Sequence, residues 1–260
     1  LRSMSVGRSM VSYTLAHAIC GGYIDSFDIR LNDWPLLENT LYYNQKLSDI
    51  LNMNSGDHKY IEAFEFINSK ELDEKFRGAL DNNVSLEEYL SHLKNTKPSI
   101  GKKPRFNYHS INSSIVLNYV LFKTGNDFEK ILEKTFKEKA KIKHSVFFGK
   151  ISNTSKEKGN ANIQFYATRY DYLRIAKAML DDWQNNTCEG KYLKNIFENR
   201  IDKDTKRIEA LGGTSQWPYA RGYAGQFQTH YTGINKKRAV MGMHGYGGQH
   251  VVIDFEKSRI

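Results

Sequence analysis

The sequence has little cysteine or proline and no long apolar run. It contains 2 cysteines and 4 prolines in 260 residues, so neither a disulfide-rich scaffold nor a proline-rich linker is expected. No apolar run approaches the roughly 20 residues of a membrane-spanning helix, so no membrane span is predicted. The chain opens on Leu1-Arg2-Ser3-Met4 without a signal-peptide pattern. Together these features predict a globular domain.

The two cysteines predict no metal site. There is no Cys-x-x-Cys pair and no His/Cys cluster with zinc spacing. Cys20 lies in an apolar helical pattern and is interpreted as a small buried hydrophobic residue, whereas Cys188 lies in a polar segment interpreted as a loop. A disulfide between them is not expected, and the redox compartment is left open.

The charge balance is basic, with a formal net charge of +9 and a pI of about 9.3. The lysines between 123 and 143 alternate with glutamates at spacings of three to four residues, which is typical of a solvent-exposed helix face. No nucleic-acid partner is predicted, although a basic polyanion-binding protein stays a third hypothesis. Hydrophobic residues at 40% and charged residues at 26% indicate an ordered domain.

The pattern along the chain predicts helices first and strands at the end. Helices are expected at 5–20, 45–53, around 60–80, 85–94, 112–122, 127–139 and 168–183. A glycine turn between two apolar runs predicts neighbouring antiparallel strands within 240–254. The expected fold class is therefore α+β, with a helical lobe beside an antiparallel sheet.

Four segments, in order, resemble the serine β-lactamase and penicillin-binding-protein family, in its class C β-lactamase, esterase and aminohexanoate-dimer hydrolase branch. Ser5-Val6-Gly7-Arg8 with Gly22-Tyr23-Ile24-Asp25 resembles the Ser-x-x-Lys helix and the Gly-x-Ile-Asp that follows it. The other three are 47–56, Phe106-Asn107-Tyr108-His109-Ser110 leading into 112–125, and 167–173. The resemblance implies the β-lactamase/transpeptidase-like fold, an antiparallel sheet flanked by helices plus a helical lobe.

The resemblance also predicts the domain organisation. Residues 1–260 form a single β-lactamase-like domain, with the helical lobe at about 25–210 and the C-terminal strands at about 215–260. Family members have strands before the nucleophile and a helix after the last strand, so the chain is expected to be a fragment. A periplasmic or secreted location is favoured over a cytoplasmic one. The oligomeric state is left open.

Three residues carry the chemistry that the resemblance implies. Ser5 is the nucleophile, Tyr108 is the catalytic phenol, and Arg8 stands where the family has its lysine. A guanidinium cannot be deprotonated in a protein, so Arg8 can hold a positive charge but cannot shuttle a proton. Arg8 therefore marks an enzyme with Tyr108 as its base, a non-catalytic relative, or an engineered substitution. Tyr108 itself has the alternative of being a packing residue.

The resemblance places substrate-binding residues in two further segments. Ser110 occupies the position of an asparagine, which puts β-lactam specificity in doubt. His244, Gly245 and Gly247 align with the family's Lys-Thr-Gly or His-x-Gly strand, with a purely structural role as the alternative for His244. His109 is expected on the surface. Cleft-wall or core positions are expected for four aromatic residues: Trp217, Tyr219, Tyr223 and Tyr231.

Two literal motif matches are interpreted as coincidental. Ser155-Lys156-Glu157-Lys158 is a Ser-x-x-Lys within a polar loop, and Lys123-Thr124-Gly125 is a Lys-Thr-Gly at a helix end. They occur in reverse order for the family.

The sequence therefore predicts a serine hydrolase that cleaves a small-molecule amide or ester through an acyl-enzyme on Ser5, with activity impaired by Arg8. The alternative is a catalytically inactive relative that binds an amide- or peptide-like ligand in the same cleft. Neither hypothesis requires a metal or other cofactor.

Overall fold

Helix α1, Val6–Cys20, is the central element, and 12 of its 15 residues are buried. Few polar residues interrupt its apolar sequence, which allows it to be covered on all sides rather than along one stripe. The structure is a computed structural model that describes residues 1–61, 85–99, 105–150, 163–203 and 219–260. In it, α1 packs against α4 (Ser110–Thr124), α7 (Cys188–Glu198) and β6 (Val240–Gly245). The start of α1 is thereby held between the helical and the strand-rich parts of the fold.

The structure describes four further α-helices. These are α2 (Leu47–Leu51), α3 (Leu86–Ser91), α5 (Phe128–Leu132), which continues as a π-helix over Glu133–Lys139, and α6 (Arg169–Gln184), with a 3-10 turn at Pro35–Leu37. None of the helices in the described ranges is long and apolar enough to cross a membrane.

Within the described ranges, the larger sheet has five antiparallel strands in sequential order. They are β3 (Ile201–Asp202), β4 (Ala220–Ala224), β5 (Phe227–Tyr231), β6 and β7 (Gln249–Asp254). Strands β6 and β7 pair from Val240 opposite Asp254 to Gly245 opposite Gln249, which confirms the two antiparallel strands predicted within 240–254. Helices with antiparallel sheets confirm the predicted α+β class.

A second, two-stranded sheet lies beside the start of α1. Strands β1 (Phe147–Lys150) and β2 (Ile163–Tyr166) are antiparallel. The first residues of the chain pair with the end of β2, because Leu1 and Ala167 exchange backbone hydrogen bonds and the Ser3 N–H donates to the Phe165 carbonyl at 2.8 Å. This pairing fixes the entry of the chain into α1.

Several sequence predictions need correction. The helix predicted at 127–139 is α-helical only over Phe128–Leu132 and continues as a π-helix. The Asp127 carboxylate, just before it, accepts hydrogen bonds from Tyr23 and Lys130, at 3.0 and 2.6 Å. Helix α7 was not predicted at all, and Cys188 is its first residue rather than part of a loop. The helix predicted around 60–80, the Ser155–Lys158 motif and Trp217 lie outside the described residues.

The two cysteines form a disulfide, against the sequence prediction. Cys20 at the end of α1 is bonded to Cys188, with 5.8 Å between their Cα atoms. The prediction failed because the partners are 168 residues apart, and their proximity arises only from the packing of α7 on α1. Cys20 is accordingly a crosslinking residue rather than an isolated small hydrophobic one.

Candidate active site

Ser5 stands at the N-terminus of α1, as the sequence predicts. It is the N-cap residue, but its hydroxyl makes no capping hydrogen bond, and no other described residue bonds to it. The preceding Met4 has a φ of +48°, a left-handed conformation that costs free energy in a non-glycine residue. The Ser3 side chain accepts a hydrogen bond from the Phe165 N–H at 3.0 Å and anchors this turn to β2. The Ser5 hydroxyl is therefore held in place by the backbone and has no hydrogen-bond partner in the described part of the chain.

Arg8 lies one helical turn after Ser5, and its guanidinium contacts the segment that enters α4. Nε donates to the Tyr108 hydroxyl at 3.0 Å, and Nη1 donates to the His109 carbonyl at 2.8 Å and to Ser113 Oγ at 3.0 Å. The guanidinium carbon also lies 4.6 Å from the centre of the Tyr108 ring. Arg8 thus joins α1 to the Tyr108 segment.

Tyr108 is buried in a small aromatic cluster with Met53, Phe106 and Tyr223. Its ring stands edge-on to Tyr223 at a centroid separation of 6.0 Å. Tyr108 does not belong to the described residues that line the pocket at Ser5, so its observed link to the serine runs through Arg8. Both roles considered for Tyr108 are consistent with this position, since it packs in a cluster and its hydroxyl is bonded to Arg8.

A small pocket of about 40 Å³ opens beside Ser5 and has room for a few water molecules. Three elements supply its polar lining: Ser5 and Arg8 from α1, Ser110 and Ser113 from α4, and Gln164 from β2. Sequence reasoning placed Ser5, Arg8 and Ser110 in the site but missed Ser113 and Gln164. Gln164 adjoins the fourth motif at 167–173, but no motif marks it, because the pairing of β2 with residues 1–3 is a tertiary feature.

Ser113 connects the pocket to the β4–β5 turn. Its hydroxyl donates to Gln226 Oε1 at 2.5 Å, and the Gln226 amide in turn donates to the Leu51 carbonyl at 2.8 Å. The Gln226 carbonyl accepts from Ser9 of α1 at 2.7 Å. Through its side chain and its backbone carbonyl, Gln226 therefore ties α1, α2 and α4 together.

His109 is buried rather than exposed, contrary to the prediction. Its Nε2 lies 2.8 Å from Asp57 Oδ2, and its Nδ1 accepts the backbone N–H of Ile111 at the start of α4. Asp57 is fully buried and also accepts hydrogen bonds from Tyr42, Ser55 and Asn107. Burial by itself raises the pKa of the Asp57 carboxyl, but His109 and the hydroxyl and amide donors outweigh it and hold that pKa below its usual value. This network fixes the segment that carries Tyr108.

Strand β6 passes close to the start of α1. A side-chain carbon on Gly245 would lie 2.9 Å from the Ser3 carbonyl oxygen and 3.3 Å from Met4 Cβ, so the approach requires glycine. Gln249 of β7 donates to the Arg2 carbonyl at 3.1 Å. Gly247 lies in the exposed turn between β6 and β7 with a φ of +83°. Gly245 therefore adjoins the Ser5 turn, whereas Gly247 shapes the neighbouring hairpin.

His244 lies in a cluster on β5, β6 and β7. It is hydrogen-bonded to Tyr231 through Nε2, and its Nδ1 lies 2.6 Å from His250 Nδ1. Burial, with the charges of His250 and Lys203, lowers the pKa of His244 to about 4, so its ring is neutral near pH 7. Tyr219 stacks on Tyr231 in the same cluster, whereas Tyr223 is in the Tyr108 cluster. His244 does not line the pocket at Ser5 within the described residues.

Among the residues that the structure describes, no group of three or more His, Cys, Asp or Glu side chains is placed to hold a metal ion. The residues at the pocket are instead hydroxyl, amide and guanidinium groups, which suit nucleophilic and hydrogen-bonding chemistry.

No model of a known protein family matches the sequence, and no curated protein matches it. Solved structures do match the fold. The D-stereospecific amidohydrolase from a Streptomyces species is 13% identical with a TM-score of 0.53, and the match covers 97% of this chain and 80% of that one. The D-amino acid amidase from Ochrobactrum anthropi is 12% identical with a TM-score of 0.57, covering 96% and 68%.

The octameric penicillin-binding protein homologue from Pyrococcus abyssi is 14% identical with a TM-score of 0.58, covering 99% of this chain and 60% of that one. The chain thus spans between 60 and 80% of the length of these three structures. Their likeness confirms the predicted serine β-lactamase/transpeptidase fold. At these identities it shows the fold alone.

Proposed function

We propose that this protein is a serine hydrolase that cleaves an amide or ester through an acyl-enzyme on Ser5. The observation that carries the proposal is the position of Ser5 at the start of the central helix, beside a pocket, with Arg8 one turn on and hydrogen-bonded to Tyr108. Two of the structural neighbours are named as an amidohydrolase and an amidase, which supports an amide as the substrate class. The proposed substrate is a small molecule.

In this scheme the Ser5 oxygen attacks the substrate carbonyl, and the serine proton passes to a base and then to the leaving amine or alcohol. The carbonyl–leaving-group bond breaks, and water later cleaves the acyl-serine ester. The positive end of α1 lies beside the attacked carbonyl and favours the developing oxyanion, for which the Ser5 N–H is a suitable donor. The Tyr108 oxygen, which accepts a hydrogen bond from Arg8 Nε, is the proposed proton acceptor.

Arg8 limits this chemistry, since guanidinium holds a charge but cannot accept a proton. We predict that Arg8→Lys increases the rate at which a serine-reactive fluorophosphonate labels Ser5, by up to roughly two to four orders of magnitude, the range that a positioned general base contributes. A lysine amine beside other polar groups can become neutral and take the serine proton. The gain should decline at low pH, where the lysine is protonated. The measurement is a labelling time course at several pH values, with the labelled residue identified by mass spectrometry.

Two control variants make this test specific. Ser5→Ala should abolish labelling, and Arg174→Lys on α6, an arginine remote from the pocket lining and paired with Asp171, should leave the rate unchanged. Equal rates for the arginine and lysine forms, both above the alanine control, would show that Tyr108 or another group acts as the base. The proposal is rejected if Ser5 is labelled in neither form.

A second candidate, an inactive relative that binds an amide- or peptide-like ligand, is favoured by one specific observation. The three hydrogen bonds from Arg8 to Tyr108, His109 and Ser113 give the guanidinium a framework role that a catalytic lysine would not have. Binding of a peptide-like amide without labelling of Ser5 in either the arginine or the lysine form would select this candidate.

A further inference from the structure

Gln164 lies in the pocket beside Ser5, although no motif in the sequence marks it. It belongs to β2, where it stands opposite Gly149 of β1. The next residue, Phe165, exchanges hydrogen bonds with Ser3, two residues before the nucleophile. The backbone pairing that positions Ser5 therefore positions Gln164 as well.

The Gln164 side chain has an unmatched hydrogen-bond acceptor. Its Oε1 is buried and accepts no hydrogen bond from any residue that the structure describes. A buried carbonyl oxygen without a donor is unfavourable, and such atoms in native proteins commonly mark a position where a ligand or water supplies the donor. By contrast, Ser113, which also lines the pocket, both accepts from Arg8 and donates to Gln226.

Arg8 leaves unused donors at the same pocket. Its Nε and Nη1 bond to Tyr108, His109 and Ser113, whereas Nη2 makes no hydrogen bond within the described part of the chain. Guanidinium has donors only, and the Gln164 oxygen only accepts. Two residues that line the pocket therefore each have an unmatched group, a donor on Arg8 and an acceptor on Gln164.

We propose that Gln164 is a specificity-determining residue that accepts a hydrogen bond from a secondary amide N–H in the acyl part of the substrate, while Arg8 Nη2 donates to the carbonyl of the same amide. The inference rests on the proposed function and refines its substrate class to acyl groups that carry a peptide-like amide. A carboxylate would suit Arg8 but has no N–H, so it would leave the Gln164 oxygen unmatched. A substrate whose acyl part is a plain alkyl chain would leave both Arg8 Nη2 and the Gln164 oxygen unmatched.

The test compares ligands that differ in one N–H group. N-acetylglycinamide and 4-oxopentanamide have the same number of non-hydrogen atoms, but a CH2 replaces the internal amide N–H in the second. Their dissociation constants for the full chain are measured by ligand-observed NMR titration. We expect about 10- to 100-fold tighter binding of N-acetylglycinamide, the range of one or two hydrogen bonds to a buried partner.

Two variants connect the preference to Gln164. Gln164→Met keeps a similar length without the acceptor and should remove the preference, whereas Gln164→Glu keeps an acceptor oxygen and should retain it. Circular dichroism and urea unfolding verify that both variants fold. A preference that is absent in the wild type, or that survives in Gln164→Met, overturns the inference.

A second arm separates this inference from the proposed function. Release of p-nitrophenol is measured with the p-nitrophenyl esters of N-acetylglycine and of 4-oxopentanoate, with Ser5→Ala as the background. Faster acylation by the N-acetylglycine ester in the wild type, but not in Gln164→Met, supports both proposals. Equal Ser5-dependent rates with the two esters support the proposed function and overturn the inference. If neither ester acylates Ser5 but the binding preference depends on Gln164, the inference holds and the hydrolase proposal fails.

Discussion

Asp57 is the residue on which the segment carrying Tyr108 depends most directly. Its buried carboxylate accepts from four side chains, Tyr42, Ser55, Asn107 and His109, at 2.6 to 3.0 Å. Removing a buried acceptor leaves its donors unsatisfied, which costs more than the net contribution of the bonds themselves. Asp57 is therefore an acceptor hub that holds residues 107–109 against the turn that follows α2.

We predict that Asp57→Ala lowers the free energy of unfolding by about 3 to 5 kcal/mol, the cost of breaking a buried, charge-assisted network. The pH dependence should change too. The pKa of Asp57 is lower in the folded protein than its usual value of 3.8, so the stabilisation is present above that value and is lost as pH falls through the folded pKa. Urea unfolding from neutral to acidic pH should show a smaller loss of stability for the variant than for the wild type.

Asp33 provides the matched control. The pKa of this carboxyl is also lowered, through Lys123 and Tyr119 against the opposing effect of partial burial, but 41% of its side chain is exposed. Solvent screening weakens the attraction in such exposed ion pairs. Asp33→Ala should therefore lower the free energy of unfolding by no more than about 1 kcal/mol. Equal losses of unfolding free energy in Asp57→Ala and Asp33→Ala would contradict the argument that burial makes the Asp57 network more important for stability.

The sequence predicted some residues of the candidate site and missed others for a physical reason. Ser5, Arg8 and Tyr108 lie in local patterns whose spacing survives folding, and two of them meet directly in the structure. Gln164 and Ser113 reach the pocket only through tertiary packing. His109 was expected on the surface, but its partner Asp57 is 52 residues away, beyond what a local pattern can indicate.

At the scale of elements, the contact between α1 and β2 helps to position Ser5. Gly7, in the first turn of α1, packs so closely on the neighbouring segment that an added side-chain carbon would overlap Ser3 Oγ and lie 3.2 Å from the Phe165 backbone nitrogen. Any side chain at position 7 must therefore displace the Ser3 hydroxyl or push α1 away from β2.

We predict that Gly7→Ala destabilises the protein by about 1 to 3 kcal/mol, as overpacking does, despite the higher helix propensity of alanine. Because Ser3 Oγ is the nearest atom, the double variant Ser3→Ala/Gly7→Ala should be less destabilised than the sum of the two single variants. The measurement is urea unfolding of the wild type and the three variants. Additive losses would show that Gly7 and Ser3 do not interact sterically.

Helices with a strong local sequence pattern were predicted correctly, whereas short strands that depend on pairing with distant segments were not. Helices α1, α4 and α6 have long apolar patterns ended by a capping residue or a glycine, and all three were predicted to within a few residues. Strands β1 and β2 are four residues each, and their pairing with each other and with the start of the chain stabilises them. Such short strands have no periodicity long enough to detect.

At the scale of the whole molecule, the Cys20–Cys188 disulfide joins distant parts of the sequence. It links the last residue of α1 to the first residue of α7 across a separation of 168 residues. A crosslink that closes so long a loop restricts the unfolded chain strongly. Stable disulfides form in oxidising compartments, so the bond favours the periplasmic or secreted location expected from the sequence.

We predict that the disulfide stabilises the fold by about 2 to 5 kcal/mol, the range for a native crosslink closing a long loop. Reductant should lower the urea midpoint of the wild type but leave the Cys20→Ala/Cys188→Ala variant unchanged, and the variant should unfold near the midpoint of the reduced wild type. With no free cysteine, the urea-unfolded, unreduced protein should not react with a maleimide until reductant is added. Two maleimide-reactive thiols in unreduced protein prepared from an oxidising compartment would contradict the bond. Protein prepared from a reducing cytosol is the control, because its thiols should react in urea without reductant, which shows that the reagent reaches both positions.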